Sequence, residues 1–460
     1  MGLKRTLYFK DSYLLLFTSI VGSGIFFTTG FILKFADHPF SVIITWIIGG
    51  LFALTGGLSY AYPAVIYPHA GGDYVYLKKA YSPLLAFLSG WASLTANFSA
   101  NIAVLSLAFA KHLFFIFPSI SINFFKIKLG IFELYFGSAQ IIGLLLIWGF
   151  TLLNLRGVKY ALSIQNFLSI LKISGIILFI ILGFSIGNLD FSRFQFQQSN
   201  LPFSYGDFEF NFKLISNIAS AVVPVSFAYL GWNMVTYVAE EINEPSKNIP
   251  RSVTIACLSV IVLYSLINIL YLASSNGNQL IDSKEGVGVT ASINLFGENA
   301  KFIMSSFIIV MVLGSIPAMI FAGSRIYFAM SRDGLFFRSL SEIHPKYETP
   351  YKSLIFQAFY SSILLLFNDI EKLLYFITSA ILIMSIFTAM IPIKLKKEKI
   401  KSDYEIPFFP IPPLFYIVGN IFILIVLTLN SPSNTIIGIG ITFSGIPVYL
   451  LLKRTFRKKK

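Results

Sequence analysis

Charge is scarce in this chain, and cysteine is nearly absent. Only 12% of the 460 residues are charged against 56% hydrophobic, and the mean hydropathy is +0.75. So few charges cannot give a soluble chain of this length a polar surface. The single cysteine, Cys257, lies inside an apolar run, which excludes an intrachain disulfide. The four histidines, His38, His69, His112 and His344, stand apart, in loops or near predicted helix ends. No cluster of His, Cys or carboxylate falls within the apolar runs, so an enzyme, a metal site and a bound cofactor are not expected. A GxxxxGK[ST] loop is also missing, which argues against a self-contained ATP-driven pump.

What the chain does have is long apolar runs, and spanning a bilayer takes about 20 such residues. Twelve spans are predicted, at 11–34, 41–63, 82–112, 138–156, 160–184, 213–238, 251–273, 301–330, 351–368, 371–393, 411–429 and 434–453. The fold class read from them is all-α and integral to the membrane. Lys4, Arg5 and Lys10 ahead of the first run imitate a signal peptide, but no small-residue cleavage site follows, so a retained helix is expected. With the N-terminus inside, 25 of the 35 Lys and Arg fall in cytoplasmic segments, nine fall outside and one, Lys172, lies mid-helix. This is the positive-inside pattern, with the basic tail 454–460 at its end. It accounts for the net charge of +14 by membrane topology rather than by a nucleic-acid partner. A multi-pass protein of the cell (inner) membrane with both termini cytoplasmic is expected.

Two runs are interrupted in corresponding places. The first holds Gly22-Ser23-Gly24, within a break expected at 21–25. The sixth holds Tyr229-Leu230-Gly231 after Pro224, within a break expected near 227–233. Five helices separate them, as two inverted copies would require, and paired interruptions are the best sequence pointer to a transporter binding site. Unwound backbone offers free N–H groups and a positive helix end to an anion such as a carboxylate. The same glycines also suit a close helix crossing.

Lys172 is the most informative single residue. It sits about twelve residues from either end of its run, roughly 18 Å at 1.5 Å per residue, beyond the reach of snorkelling. An ammonium at mid-membrane costs about 2.5–3.5 kcal/mol on insertion scales. No Asp or Glu lies deep in any predicted span, so its partners must be backbone carbonyls, hydroxyls or water. A lysine merely packed inside the bundle is the alternative. Glu240 and Glu241, where the sixth run ends, are read as paired or solvated at the cytoplasmic face, with a gate salt bridge as the other reading. Asn97 and Asn101, four apart on one helix face, either line a cavity or bond a neighbouring helix. Ser331 to Gly334, with Arg332 and Asp333, reads as a capped inward loop.

Together these motifs resemble the L-type amino acid transporter family of the amino acid–polyamine–organocation superfamily, in a stand-alone prokaryotic-like form. The matching residues are Gly22 to Phe26, Gly71-Gly72-Asp73-Tyr74-Val75-Tyr76, Phe227-Ala228-Tyr229 and Gly231-Trp232-Asn233. They continue through Glu240-Glu241, Asn243, Pro245, Asn248-Ile249-Pro250, His344-Pro345, Thr349-Pro350 and Ser444 to Tyr449, so that the resemblance spans the chain. It implies a LeuT-like fold: an inverted repeat at 11–184, a second at 213–393, and two further helices at 411–453. The resemblance places the substrate carboxylate on the N–H groups of Ser23, Gly24 and Ile25, and the amine on carbonyls of Ile20 or Val21 and of Phe227. Ala228, Leu230, Asn233 and Asn101 complete the implied substrate site, Phe227 is its gate, and Lys172 stands where sodium-coupled relatives hold sodium. Residues 113–137 lack the outward cysteine that eukaryotic members use, so no disulfide-linked heavy chain is expected. The expected function is sodium-independent exchange of L-amino acids, neutral ones because no carboxylate lies near the breaks. Proton symport with Lys172 titrating, and non-transporting amino acid sensing, are the alternatives.

Overall fold

The computed structural model describes residues 3–35, 38–129, 132–194, 221–222, 224–283, 285–366 and 370–457. It is predominantly helical, because a segment in lipid must satisfy its own backbone groups. The first run is cut into α1 (Phe9–Ile20), a 3-10 turn (Ser23–Phe26) and α2 (Thr28–Leu33). There follow α3 (Pro39–Ile66), the short α4 (Asp73–Ala80), and α5 (Pro83–Ala92), which continues through a π turn (Ser93–Asn97) into α6 (Phe98–Ile116). Next come α7 (Ser138–Leu155) and α8 (Val158–Ile186). Beyond the second break lie α9 (Met234–Tyr237), α10 (Pro245–Ser274), α11 (Ala300–Arg332), α12 (Tyr351–Leu365), α13 (Ile370–Ala389) and α14 (Ile411–Asn430).

Among the described residues, eight helices are long and apolar enough to cross a membrane. They are Pro39–Ile66, Pro83–Ile116, Ser138–Leu155, Val158–Ile186, Pro245–Ser274, Ala300–Arg332, Ile411–Leu429 and Thr435–Lys453. The first predicted span is broken into pieces too short to count. Much of the sixth, 213–220, lies outside the described residues. The ninth and tenth correspond to α12 and α13, and residues 367–369 between them are outside as well.

One segment departs from the all-helical reading. Residues Asn123–Leu129 and Phe132–Gly137 form an antiparallel hairpin in which Lys126 faces Tyr135. Its signal is the alternation of Phe125, Ile127 and Leu129 with Lys126 and Lys128. A hydropathy reading tuned to long runs passes over a period of two.

The interior is organised around α1, which packs against α8, α10 and α11, while α10 lies along α3 and α11 along α6. The N-terminal segment is tied to the end of the second break. The N–H groups of Thr6 and Leu7 donate to the Glu241 carbonyl at 2.8 and 2.9 Å, and the Asn243 N–H donates to the Leu7 carbonyl at 2.9 Å.

Candidate functional site

The two interrupted runs meet in the interior. At the first, Val21 (φ −80°, ψ 89°) and Gly22 (φ −111°, ψ −160°) leave the helical region, and a 3-10 turn begins at Ser23. The N–H groups of Ser23 and Gly24 open that turn, where a helix has no internal partner to offer. At the second, Gly231 adopts φ +106°, and a Cβ there would stand 2.5 Å from the Ser19 carbonyl oxygen. A Cβ at Gly24 would lie 3.0 Å from the Ala228 Cα. The glycines therefore serve close approach as well as unwinding, and the two readings of the motif coexist. Gly24→Val consequently reports on packing against Ala228 rather than on any bound carboxylate. The hydroxyl of Tyr264, on α10, lies 3.2 Å from the Ile20 carbonyl and 3.3 Å from that of Ala228, joining the breaks. Sequence reasoning missed Tyr264, since nothing in a helical run marks which tyrosine faces a break.

Lys172 is fully buried, and its ammonium donates to the carbonyls of Thr18 and Val21, each at 3.1 Å, and to the Ser315 hydroxyl at 2.8 Å. Three donors thus meet three acceptors from α1, the first break and α11. These are the partner types that the absence of acid had required. Room for the stem comes from Gly314, where any Cβ would collide with the lysine Cε.

Phe227 and Leu230 line a cavity of about 30 Å³ with Phe52, Tyr229, Trp232 and Tyr416. An adjoining one of about 40 Å³ is lined by Asn97, Asn101, Leu230, Gly231, Asn233 and Ser385. Each holds no more than a few waters, so the site is closed in this conformation. Asn101 Nδ2 donates to Asn97 Oδ1 at 3.2 Å, and both border the cavity. Asn97 ends the π turn, a feature that the sequence did not announce and that concentrates at functional sites. The carbonyls proposed for an amine are partly engaged: Ile20 accepts from the Gly22 N–H at 2.9 Å, Val21 from Lys172, and Phe227 from the Leu230 N–H at 3.1 Å. The Val21 and Phe227 carbonyls each keep a second lone pair, whereas that of Ile20 also faces the Tyr264 hydroxyl. Ile25 is buried, and Ala228 lies against Gly24.

Beneath the breaks, both glutamates are paired. Glu241 is bidentate with Arg325, Oε1 to Nε at 2.8 Å and Oε2 to Nη2 at 3.2 Å, with both side chains 1% exposed. Glu240 accepts from Arg332 Nη1 at 2.9 and 3.0 Å and from the N–H groups of Leu3 and Ala70, each at 3.0 Å. Burial pushes its carboxyl up, but Arg332 and the two N–H groups outweigh burial and hold it below the usual range. Asp333 accepts from the Tyr74 hydroxyl at 2.8 Å and pairs with Lys78 at 2.7 Å, which makes that loop a structural tie. Asp73, which the sequence left in a loop, is buried.

Comparison with known proteins bears on this arrangement. The family model described as amino acid permease matches residues 7–452. The serine/threonine exchanger SteT of Bacillus subtilis is 28% identical, across 98% of both chains. The large neutral amino acids transporter small subunit 2 of Mus musculus is 29% identical, over 98% of this chain and 81% of its own. The cystine/glutamate transporter of Homo sapiens is 29% identical, over 98% and 85%.

Proposed function

The chain belongs to the amino acid permease family, and from that premise we propose that it exchanges neutral L-amino acids across a cell membrane, by alternating access and without sodium. The observation that carries this reading is the contact between the two breaks, with the Lys172 ammonium held by oxygens of the first. Two carbonyls and a hydroxyl are a cation's coordination shell, and a tethered ammonium occupies it in place of a free ion. The repeats at 11–184 and 213–393, and a count of twelve spans, belong to the same reading. Relatives named for serine/threonine exchange and for large neutral amino acids support neutral substrates. So do the cavities at Phe227 and Leu230, which no carboxylate among the described residues lines. Cys257 is 1% exposed inside α10, in keeping with a chain that works without a disulfide-linked partner.

Counterflow tests the reading. Proteoliposomes loaded with unlabelled L-serine, L-threonine, L-leucine or L-phenylalanine are expected to accumulate the labelled amino acid with no sodium or proton gradient. Uptake that needs an inward proton gradient would point to symport. Binding without flux would point to a sensor.

Recognition in this reading is by backbone: the carboxylate on Ser23, Gly24 and Ile25, the amine on the carbonyls of Ile20, Val21 and Phe227. Charge-assisted hydrogen bonds contribute about 1.5–3 kcal/mol, so masking one end of the substrate removes at least about tenfold in affinity. The amide of a good substrate, or its deaminated analogue, is therefore expected to compete at least about tenfold more weakly. Amides that compete as well as the free acids refute the assignment. Ser23→Ala keeps the N–H and should be mild.

Orientation is tested by labelling. In a Cys257→Ser background, Ser192→Cys is expected to react with an impermeant thiol reagent added outside, and a cysteine after Lys460 is not. The reverse pattern would place both termini outside.

A further inference from the structure

The motif Gly71 to Tyr76 has no part in the transport reading, yet it folds directly against the end of the second break. The Gly71 N–H donates to the Tyr237 carbonyl at 2.9 Å, and the Tyr76 hydroxyl donates to that of Thr236 at 3.1 Å. Gly72, at φ +54°, lies so close to the Tyr237 ring that no side chain fits there. This packing buries the Asp73 carboxyl, and the Tyr237 hydroxyl donates to its Oδ2 at 2.7 Å. Tyr60 of α3 and Thr388 of α13 face the same carboxyl, and among the described residues no cation does.

Proton counting gives this contact a direction. A tyrosine hydroxyl has one proton; once it is given to the acceptor-only carboxylate, the hydroxyl can only accept. It accepts from Asn233 Nδ2 at 3.3 Å. The Asn233 amide is thereby turned with its nitrogen toward Tyr237 and its Oδ1 left for the cavity that it shares with Asn97 and Asn101. A donor at position 73 would return the tyrosine proton to Asn233 and present the amide nitrogen to that cavity instead.

We propose that Asp73 is a positioning residue for substrate recognition: through Tyr237 it holds the Asn233 carbonyl oxygen toward the substrate cavity. This rests on the transport reading, in which Asn233 borders the substrate. The group served is a hydrogen-bond donor on the amino acid, its ammonium or a side-chain hydroxyl. A protonated Asp73 is itself a donor, so the relay also reads cytoplasmic acidity. Asp73 lies outside the membrane-spanning runs, and burial raises its carboxyl, bringing protonation to milder acid than for an exposed carboxylate. The titratable groups facing it are the hydroxyls of Tyr60 and Tyr237, with Tyr76 and Tyr416 beyond them.

The test is a double-mutant cycle on KM in the proteoliposome assay, with the four amino acids above. Asp73→Asn and Tyr237→Phe are each expected to raise KM about fivefold for at least one of them, the maximal rate for Asp73→Asn changing less than about twofold. The double variant should be no worse than either single, and Asp73→Glu, which unlike the amide keeps an acceptor with no proton to donate, should restore KM. The wild-type KM should rise as internal pH falls from about 7.5 to about 5.5, and that of Asp73→Asn should stay flat. Additive KM effects, an unchanged KM, or a wild-type pH profile in Asp73→Asn would overturn the proposal. If Asp73→Asn does not fold, Tyr237→Phe carries the test, because it must abolish the pH dependence. If wild type exchanges nothing, the transport reading fails by itself, and the same cycle is read from the Kd for labelled L-serine.

Discussion

Lys172→Ala is expected to yield a folded protein that exchanges amino acids at least about tenfold more slowly, with Lys172→Arg failing to restore the rate. The ammonium meets three oxygens from α1, the first break and α11, so its removal leaves the Val21 carbonyl without that donor where α1 unwinds and the Thr18 carbonyl with only the Ser315 hydroxyl at 3.5 Å. Losing one charge-assisted contact costs about 1.5–3 kcal/mol, and 1.4 kcal/mol is already tenfold. Folding should survive, because the alanine also removes the insertion cost of a mid-membrane charge, about 2.5–3.5 kcal/mol. Arginine fails for a geometric reason. Its planar fork cannot replace a compact ammonium among three convergent oxygens, and the space beside Gly314 is already filled by the lysine stem. Counterflow normalised to reconstituted protein is the measurement. An alanine variant at the wild-type rate would make Lys172 a packed residue and nothing more.

Glu241→Gln is expected to destabilise the protein by about 3 kcal/mol or more, because breaking a buried ion pair strands its partner's charge. Arg325 is 1% exposed and also donates to the Phe321 carbonyl at 3.0 Å and the Ser324 hydroxyl at 3.1 Å, with its guanidinium 3.8 Å from the Phe321 ring centroid. Those contacts fix its position but do not neutralise it. Replacing both members by methionine should cost less than Glu241→Gln alone, since no stranded charge remains. Denaturant unfolding in detergent measures both. A loss under about 1 kcal/mol would mean that water reaches the guanidinium, as at an exposed pair.

The sequence by itself determined what depends on the run of the chain: that it is helical in a membrane, where the two runs break, and that Lys172 needs neutral oxygen partners. Those conclusions follow from local quantities, namely hydropathy over about 20 residues, glycine in a helix interior, and an ammonium out of reach of water. The tertiary structure decided which atoms meet. Thr18, Val21 and Ser315 became the lysine's partners, Tyr264 the link between breaks, and Arg325 the mate of Glu241. These pairings join positions 36 to 244 residues apart, and no periodicity encodes which faces will touch. Asp73 shows the limit most plainly. Its position between two predicted spans carries no signal of burial, yet Gly72 of its own motif lets the chain approach Tyr237 and bury the carboxyl. Burial is a property of what packs on top, and that is settled only when distant helices assemble.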